Sequence, residues 1–440
     1  MMFTPELLSS VRDRFHHVDT CPYQGSRAFF ENAGGSLTLK SVVERTTELM
    51  AIPDNQGRSN IASVELGKLI AQGRADMMTM FGATSGTVFV GETGTELLGR
   101  IIRNATLATT GSSVVGSALE HPATISACRR WSEVTNRTYH QVPFDPTTSI
   151  VGVDQYREAI TAETSVATII HASPVTGMHV DVAAIAEHIR AVAPQCIIIV
   201  DGIQHAAHGQ IDVESYGIDG YVVSGYKLFS RHNYGVAWVS DRLSTMPHDK
   251  LDGTPADFWE LGTRDASAYA TFSEVVRYLE WLGQEWLGQE WLGQQWLDQE
   301  SLAQEQPIET GEALSSRELL MTAAKGIRAQ EHGIVEALLW GTGGLKGLAE
   351  LDAVSIVGPV TSEHRSGMVS FEVEGHTAAG VVDHLNDDGV RTHVRKSDYF
   401  SAGVLQPLGI DSCVRASASH YNSLAEVERL LATVNRLAGA

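Results

Sequence analysis

Two side chains near the ends of predicted strands could together hold a pyridine ring. Asp201 ends the apolar run at 196–201, and Lys227 follows a second short apolar run and a turn in 219–227. The carboxylate can keep a ring nitrogen protonated, and the lysine can form a Schiff base with an aldehyde, so that the ring becomes an electron sink for a carbanion. Alone, each residue is more often a helix cap or a solvated side chain. The pair, with Ser224 three residues before the lysine, is far more specific.

Three other segments carry weaker signals for the same kind of site. The segment 90–97 places glycines and threonines at a predicted helix start, which suits a phosphate, although it matches neither a Walker A loop nor G-x-G-x-x-G. His121 follows another strand and could stack on a flat ring and take part in proton transfer. Arg415, in 412–417, offers a planar fork for a carboxylate. Taken singly, normal capping, a structural histidine and a surface salt bridge are the more ordinary interpretations.

The elements that must position these residues alternate between strand and helix. Between about 60 and 280, short β-branched strands are predicted at Thr87–Val90, Ser113–Gly116, Val166–His171, Ile197–Val200, Tyr221–Val223 and Val236–Val239, with helices between most of them. This alternation predicts a largely parallel sheet covered on both faces. From about 315 the pattern changes to a long helix followed by mixed strands and helices, which indicates a smaller α+β domain.

A five-residue repeat interrupts this pattern. Residues 280–299 contain Glu-Trp-Leu-Gly-Gln and close variants four times over. On a helix, a five-residue period turns each copy by roughly 140° relative to the last, so the four tryptophans (Trp281, Trp286, Trp291 and Trp296) would share no face. A duplicated surface insertion that extends a helix is the favoured interpretation, and a partner-binding element is the alternative.

Composition limits the class of protein. The chain has 440 residues, a formal net charge of −21 and no apolar run long enough to cross a membrane, so nucleic acid and membranes are disfavoured as partners. The N-terminus shows no secretory signal. Four scattered cysteines without a Cys-x-x-Cys pair predict neither a disulfide framework nor a metal site, and they fit a reducing cytoplasm.

Seven motifs occur together in the order found in one family. They are Asn-Ala-Gly-Gly at 32–35, Gly-x-Thr-Gly-Thr-Glu at 91–96, Glu-His at 120–121, Val-Asp-Gly-x-Gln-His at 200–205, Ser-Gly-x-Lys at 224–227, Gly-Thr at 262–263 and Arg-x-Ser at 415–417. With these motifs the chain resembles class V aminotransferases of PLP fold type I, and among them the cysteine desulfurase-like branch, which includes selenocysteine lyases and cystine lyases. The resemblance spans about residues 28–435, apart from the repeat region.

The resemblance implies an α/β fold with two domains. A mainly parallel, seven-stranded large domain would bind pyridoxal 5'-phosphate (PLP), and a smaller α+β domain would lie at the C-terminus. The expected bounds are 1–50 for an N-terminal arm that is part of the small domain, 51–282 for the large domain, 283–312 for the repeat insertion and 313–440 for the small domain.

The resemblance also implies roles for individual residues. Lys227, Asp201 and His121 would be catalytic and would also bind the cofactor. The other expected cofactor ligands are Gly94, Thr95, Gln204, Ser224, Tyr226 and Thr263, of which Thr263 would reach the phosphate of the partner subunit in a homodimer. The residues expected to bind a small amino-acid substrate are Asn32, Gly34, His393 and Arg415.

One departure from the family pattern bears on the reaction. Desulfurases that pass on a persulfide carry a cysteine on the loop shortly before the carboxylate-binding arginine, but residues 391–401 contain none, and Cys413 is expected to be structural. Two smaller departures are Tyr226 before the lysine and His171-Ala-Ser-Pro174 where the family has His-x-Ser-Asn. The sequence therefore favours a C–S lyase type of β-elimination without a persulfide. A class V aminotransferase or an epimerase is the alternative, and a non-catalytic scaffold is disfavoured by the intact pair of Asp201 and Lys227.

Overall fold

The N-terminal part of the chain packs against the C-terminal region and contributes to its core. The computed structural model describes residues 1–145, 148–300 and 314–440, and for 292–300 it describes the backbone alone. The first elements are α1 (Pro5–Arg12), β1 (Thr20–Cys21), β2 (Gly25–Ser26), β3 (Ala28–Phe29) and α2 (Lys40–Met50). Strand β3 pairs in parallel with Val390–Arg391, and Ala28 and Phe30 are buried in a core otherwise formed by residues after 333.

A seven-stranded sheet positions most of the predicted site. Its strands are β4 (Thr87–Gly91), β5 (Ser113–Ser117), β6 (Thr138–Val142), β7 (Thr164–Ile170), β8 (Ile197–Asp201), β9 (Gly220–Ser224) and β10 (Gly235–Val239). Their order is β4-β10-β9-β8-β7-β5-β6, and β10 runs antiparallel to both of its neighbours while the other pairs are parallel. The predicted α/β fold with a mainly parallel seven-stranded sheet is therefore confirmed.

Helices cover both faces of this sheet. They are α3 (Ile61–Phe81), α4 (Gly94–Ala108), α5 (Pro122–Val134), α6 (Val153–Ala159), α7 (Val182–Val192), α8 (Val213–Tyr216) and α9 (Asp241–Ser244). Successive strand residues point to opposite faces, and both faces are buried: Ile198 and Val200 pack into one core, whereas Ile197 and Ile199 pack into the other. Burial on both faces explains the continuous apolar runs that made these strands visible in the sequence.

The edge strand β6 was not among the predicted strands. Its sequence, Thr-Tyr-His-Gln-Val, is mostly polar, and only Val142 is fully buried. At the edge of the sheet it pairs only with β5, so it needs no apolar run.

The tryptophan repeat lies on a helix that is partly built into the core. Helix α10 (Ala266–Glu300) packs against α11 (Ser316–Trp340). Trp286 is 3% exposed and lies against Gly326, where an added Cβ would come within 2.9 Å of the indole, whereas Trp291 is 53% exposed. The expectation of a surface insertion is thus wrong for Trp286. The side chain of Trp296 and residues 301–312 lie outside the described part of the chain.

A four-stranded antiparallel sheet forms the centre of the C-terminal region. The elements here are β11 (Val354–Val357), β12 (Met368–Val373), α12 (Ala378–Asp387), β13 (Val390–Arg391), β14 (His393–Lys396), α13 (Ala402–Leu405), β15 (Ser412–Ser417) and α14 (Leu424–Leu437). The order is β11-β12-β15-β14, and α11, α12 and α14 cover one face. The other face turns toward the large sheet: Ser370 Oγ on β12 donates a 2.6 Å hydrogen bond to the carbonyl of Val175.

None of the helices in the described ranges has the length and apolarity that crossing a membrane requires.

Candidate active site

A cavity opens where parallel strands of the large sheet end, the place where open α/β sheets commonly bind ligands. Eight of the nine predicted cofactor ligands line it: Gly94, Thr95, His121, Asp201, Gln204, Ser224, Tyr226 and Lys227. The remaining lining residues are Thr93, Ile170, Ala172, Pro174 and Ile203. The strands β4, β7, β8 and β9 thus deliver side chains that are far apart in sequence to one place.

Asp201 is a buried carboxylate at the floor of the cavity. Its Oδ1 accepts a 3.1 Å hydrogen bond from the Ile203 N–H, and its Oδ2 accepts a 3.4 Å bond from Thr124 Oγ1. Burial raises the pKa of Asp201, and no cation in the described residues lies within ion-pair distance of it. A protonated pyridine nitrogen would supply the missing partner, because a buried charge is stable only when it is paired.

Lys227 lies in a 3₁₀ turn, Gly225–Lys227, directly after β9. Its Nζ donates a 3.3 Å hydrogen bond to Gln204 Oε1 on the turn that follows β8. Burial, and then the nearby Arg415 cation, lower the pKa of Lys227 from 10.5 to about 8. A larger fraction of this amine than of an ordinary lysine is therefore neutral near neutral pH, and the neutral form is what a nucleophile or a base requires.

His121 is the N-cap of α5 and remains neutral. Its Nδ1 accepts a 3.2 Å hydrogen bond from the Ala123 N–H, so the proton of the neutral ring is on Nε2. Burial, together with the Lys227 and Arg395 cations, lowers the pKa of His121 to about 4. His121 therefore presents a flat, uncharged ring and one N–H donor.

The N-terminus of α4 forms a cradle of the size and polarity that a phosphate needs. Thr93 caps the helix, with its Oγ1 3.0 Å from the Glu96 N–H, which leaves the earlier N–H groups of the first turn for a ligand. A Cβ at Gly94 would lie 2.5 Å from Ser224 Oγ and 2.4 Å from Ile203 Cδ1. A larger residue would displace both of these side chains, whereas glycine lets the backbone approach an anion closely.

None of the four predicted substrate residues lines the cavity directly, but Arg415 approaches it from the other sheet. Arg415 is 2% exposed, and its Nη1 donates a 3.0 Å hydrogen bond to the carbonyl of Pro174, which lines the cavity. Gly34 lies beside it, since a Cβ there would be 3.7 Å from Arg415 Nη2. These contacts place the guanidinium at the junction of the two sheets.

Two other predicted substrate residues, Asn32 and His393, have their polar atoms bonded to other residues of the chain. Asn32 donates to the carbonyl of Ser417 at 2.8 Å and accepts from the Tyr421 hydroxyl. His393 Nδ1 lies 3.1 Å from Glu31 Oε1. In this arrangement both residues position the segment around Glu31, and their contact with a substrate remains a prediction.

Thr263 does not reach the cavity of its own chain. It is exposed, and its neighbour Arg264 forms a 2.9 Å ion pair with Glu92, next to the phosphate cradle. The predicted role of Thr263 in a partner subunit remains a prediction.

Several residues around the site carried no recognisable sequence signal. Thr124 on α5 reaches Asp201 and Ile203 forms a wall, and neither residue type is distinctive in the sequence, whereas Ala172 and Pro174 belong to the segment 171–174 that departs from the family pattern. Buried Glu120 is also close to Asp201, and burial followed by this neighbouring charge raises its pKa well above the usual range. Glu120 is therefore held neutral.

Comparison with known proteins identifies similar chains. The model of the family described as Aminotransferase class-V matches residues 28–283 and 327–430. A probable cysteine desulfurase 2 of Mycobacterium leprae is 25% identical over 98% of this chain and 97% of its own length. The aminotransferase-like protein FGM3 of Gibberella zeae is 23% identical over 96% of each chain. The apo structure of a cysteine desulfurase from Thermococcus onnurineus superimposes with a TM-score of 0.76, covering 100% of this chain and 99% of the other at 22% identity.

Proposed function

The chain belongs to the class-V aminotransferase family and is a PLP-dependent enzyme, and from this premise we propose that it eliminates the β-substituent of a small amino acid directly. The observation that carries the proposal is the composition of residues 391–401, which include no cysteine. Phe400 in this segment lies 6.2 Å from the His121 ring, so the segment borders the cavity. A persulfide mechanism requires a thiolate at such a position.

The cysteines that the chain does carry are poor substitutes. Cys413, on β15, is fully buried, and burial raises its pKa to about 12. Burial also raises the pKa of Cys128 and of Cys196, the latter to about 12. Only Cys21 is partly exposed, and it lies in the short strand β1 of the N-terminal part.

The residues of the cavity divide the chemistry among them. Bound PLP supplies the electron sink for the bond broken at the substrate Cα. Asp201 holds a proton on the ring nitrogen, and Lys227 Nζ, with its lowered pKa, takes the proton from Cα. His121 offers its Nε2–H as a hydrogen-bond donor, and its ring lies beside that of Phe400. Arg415 orients the substrate through its carboxylate.

Replacing all four cysteines by alanine is expected to leave turnover within about threefold of the original, because a direct elimination uses no thiolate. The measurement is release of pyruvate and sulfide from L-cysteine, and of pyruvate from S-methyl-L-cysteine, below the unfolding temperature of each variant. The single variant Cys21→Ala is the control for the one exposed thiol. A protein-bound persulfide seen by mass spectrometry during turnover, and lost in one cysteine variant, would overturn the proposal.

Transamination is the second candidate function, and the aminotransferase-like relative from Gibberella zeae favours it. It is distinguished by its products, since transamination needs an added 2-oxo acid and releases neither sulfide nor ammonia.

We also propose that the enzyme is a homodimer in which Thr263 completes the phosphate site of the partner. Exposed Thr263 is next to Leu261, which borders a wide groove that also includes Thr95 and His121 of the cavity. Sedimentation equilibrium is expected to give twice the chain mass of 47.6 kDa. Thr263→Ala is expected to weaken PLP binding without changing this mass. A monomeric enzyme, or a Thr263→Ala variant that binds PLP as tightly as the original enzyme, would refute the assignment.

A further inference from the structure

Arg395 and Arg415 point to the same face of the small sheet. In the antiparallel pair of β14 and β15, Arg395 is opposite Cys413 and His393 is opposite Arg415. Directly opposed residues share a face, so the two arginines are diagonal neighbours, roughly 7–8 Å apart and within reach of a common ligand. Ser370, which is opposite Arg415 on the next strand, contacts Val175, so this is the face that meets the large sheet.

Arg395 lies on the side of the cavity where His121 is found. Its Nη2 donates a hydrogen bond to Ser401 Oγ, which ties β14 to the segment containing Phe400. Phe400 lies beside the His121 ring. In agreement with this placement, Arg395 is among the cations that lower the pKa of His121, after burial and Lys227.

The carboxylates near the two arginines are exposed or already shared, and exposed Asp398 only partly offsets the lowering of the Arg395 pKa by burial. Among the residues that the structure describes, no acidic side chain comes within ion-pair distance of Arg395 or Arg415. The Nε atom of each is buried without a hydrogen-bond partner. Glu31 is the carboxylate that acts on the pKa of Arg415. It already contacts Arg391 at 2.7 Å and His393 at 3.1 Å.

Two adjacent cations that form no ion pair within the described residues, beside a cavity, are costly unless a ligand brings two negative charges. The α-carboxylate of an amino acid accounts for one of them, at Arg415. A neutral side chain would leave Arg395 without a partner and next to a like charge.

We propose that Arg395 binds a second acidic group on the substrate side chain, so that the enzyme selects amino acids with an acidic side chain. This inference rests on the proposed function, because it takes the substrate α-carboxylate to be bound by Arg415. Arg395 is then the residue that determines specificity, and the acidic group is a carboxylate or a sulfinate held close to the β-carbon.

The test compares ligands of equal shape and different charge on the PLP-loaded full-length enzyme. L-Aspartate is compared with L-asparagine, L-glutamate with L-glutamine, and L-cysteine sulfinate with L-cysteine, with dissociation constants taken from the change in cofactor absorbance. We expect at least one acidic ligand to bind about tenfold or more tightly than its neutral counterpart, since the neutral one leaves the half-buried Arg395 cation without an anionic partner. Comparing aspartate with cysteine sulfinate distinguishes a carboxylate from a sulfinate. Comparing glutamate with aspartate shows how far from the α-carbon the acidic group can be bound.

Variants assign the effect to Arg395. Arg395→Gln is expected to abolish the preference by weakening acidic ligands about 30-fold or more while changing neutral ones little, and Arg395→Lys is expected to keep part of it. Arg415→Ala should weaken both members of each pair alike. Lys396→Gln is the matched control, because Lys396 is the exposed neighbour on the same strand and its side chain points to the opposite face. Cofactor occupancy and thermal unfolding confirm that each variant is folded.

The outcomes separate the two proposals. Equal affinity for acidic and neutral ligands in the original enzyme, or a preference that survives Arg395→Gln, overturns the assignment of Arg395 and leaves the proposed function intact as long as some amino acid alters the cofactor spectrum. If no amino acid alters that spectrum, the proposed function and this inference are both wrong.

Discussion

Lys227→Ala is expected to abolish turnover while the protein remains folded. The lysine is the only amine among the residues that line the described cavity, and its lowered pKa supports the two roles proposed for it, as the anchor for the cofactor aldehyde and as the base for the substrate α-proton. Loss of a positioned base alone costs roughly 10²- to 10⁴-fold in rate, and loss of the covalent anchor adds to this. Steady-state pyruvate release measures the effect.

The covalent anchor has its own readout. Borohydride reduction followed by peptide mass spectrometry should place the cofactor on Lys227 in the original enzyme and nowhere in the variant. Lys68→Ala is the control, because Lys68 is an exposed residue of α3 that pairs only with exposed Glu65. Activity near the original level in Lys227→Ala, or label on another lysine, would show that the central assignment is wrong.

Asp201→Asn is expected to retain bound cofactor but to lose about 10- to 150-fold in turnover. A neutral amide cannot hold the ring nitrogen protonated, and the charge-assisted hydrogen bond that it replaces is worth about 1.5–3 kcal/mol. Because the protonated ring stabilises negative charge at Cα, the loss should be in kcat more than in KM. Absorbance gives the cofactor occupancy, and turnover gives the loss.

Glu120→Gln is the matched control for Asp201→Asn. Glu120 is buried near Asp201, but its raised pKa favours the neutral carboxyl, which an amide of the same shape resembles. We expect Glu120→Gln to change the rate much less than Asp201→Asn. Equal losses in the two variants would mean that Asp201 acts through packing, and an unchanged rate in Asp201→Asn would remove it from its role.

The large sheet could be predicted because burial on both faces forces apolar, β-branched sequences on its central strands. All six predicted strands are present, with ends shifted by one or two residues. The edge strand β6 could not be found in the same way, since one exposed side and few buried residues leave it with a polar sequence. The same limit applies to Trp286, whose burial depends on Gly326 of another helix and not on the period of the repeat.

The cofactor side of the site was equally accessible from the sequence. Asp201 and Ser224 end strands, and Gln204 and Lys227 lie three residues beyond those ends. Parallel strands end at one edge of the sheet, so local motifs were enough to predict that these side chains lie together. Thr124 lacked such a signal, because its contribution depends on where α5 lies relative to Asp201.

The sequence by itself determined the chemistry that the cofactor site supports, since that chemistry depends on residue types at strand ends. Only the tertiary structure decided which cations are available to a substrate. From the sequence alone, Arg391, His393 and Arg395 are equally plausible as cations that bind a substrate. In the fold, the pairing of β14 with β15 and the position of Glu31 place the first two against a carboxylate. Among the described residues, Arg395 forms no ion pair and lies next to Arg415. The strand register and the position of Glu31 decide this, and both are properties of the whole fold.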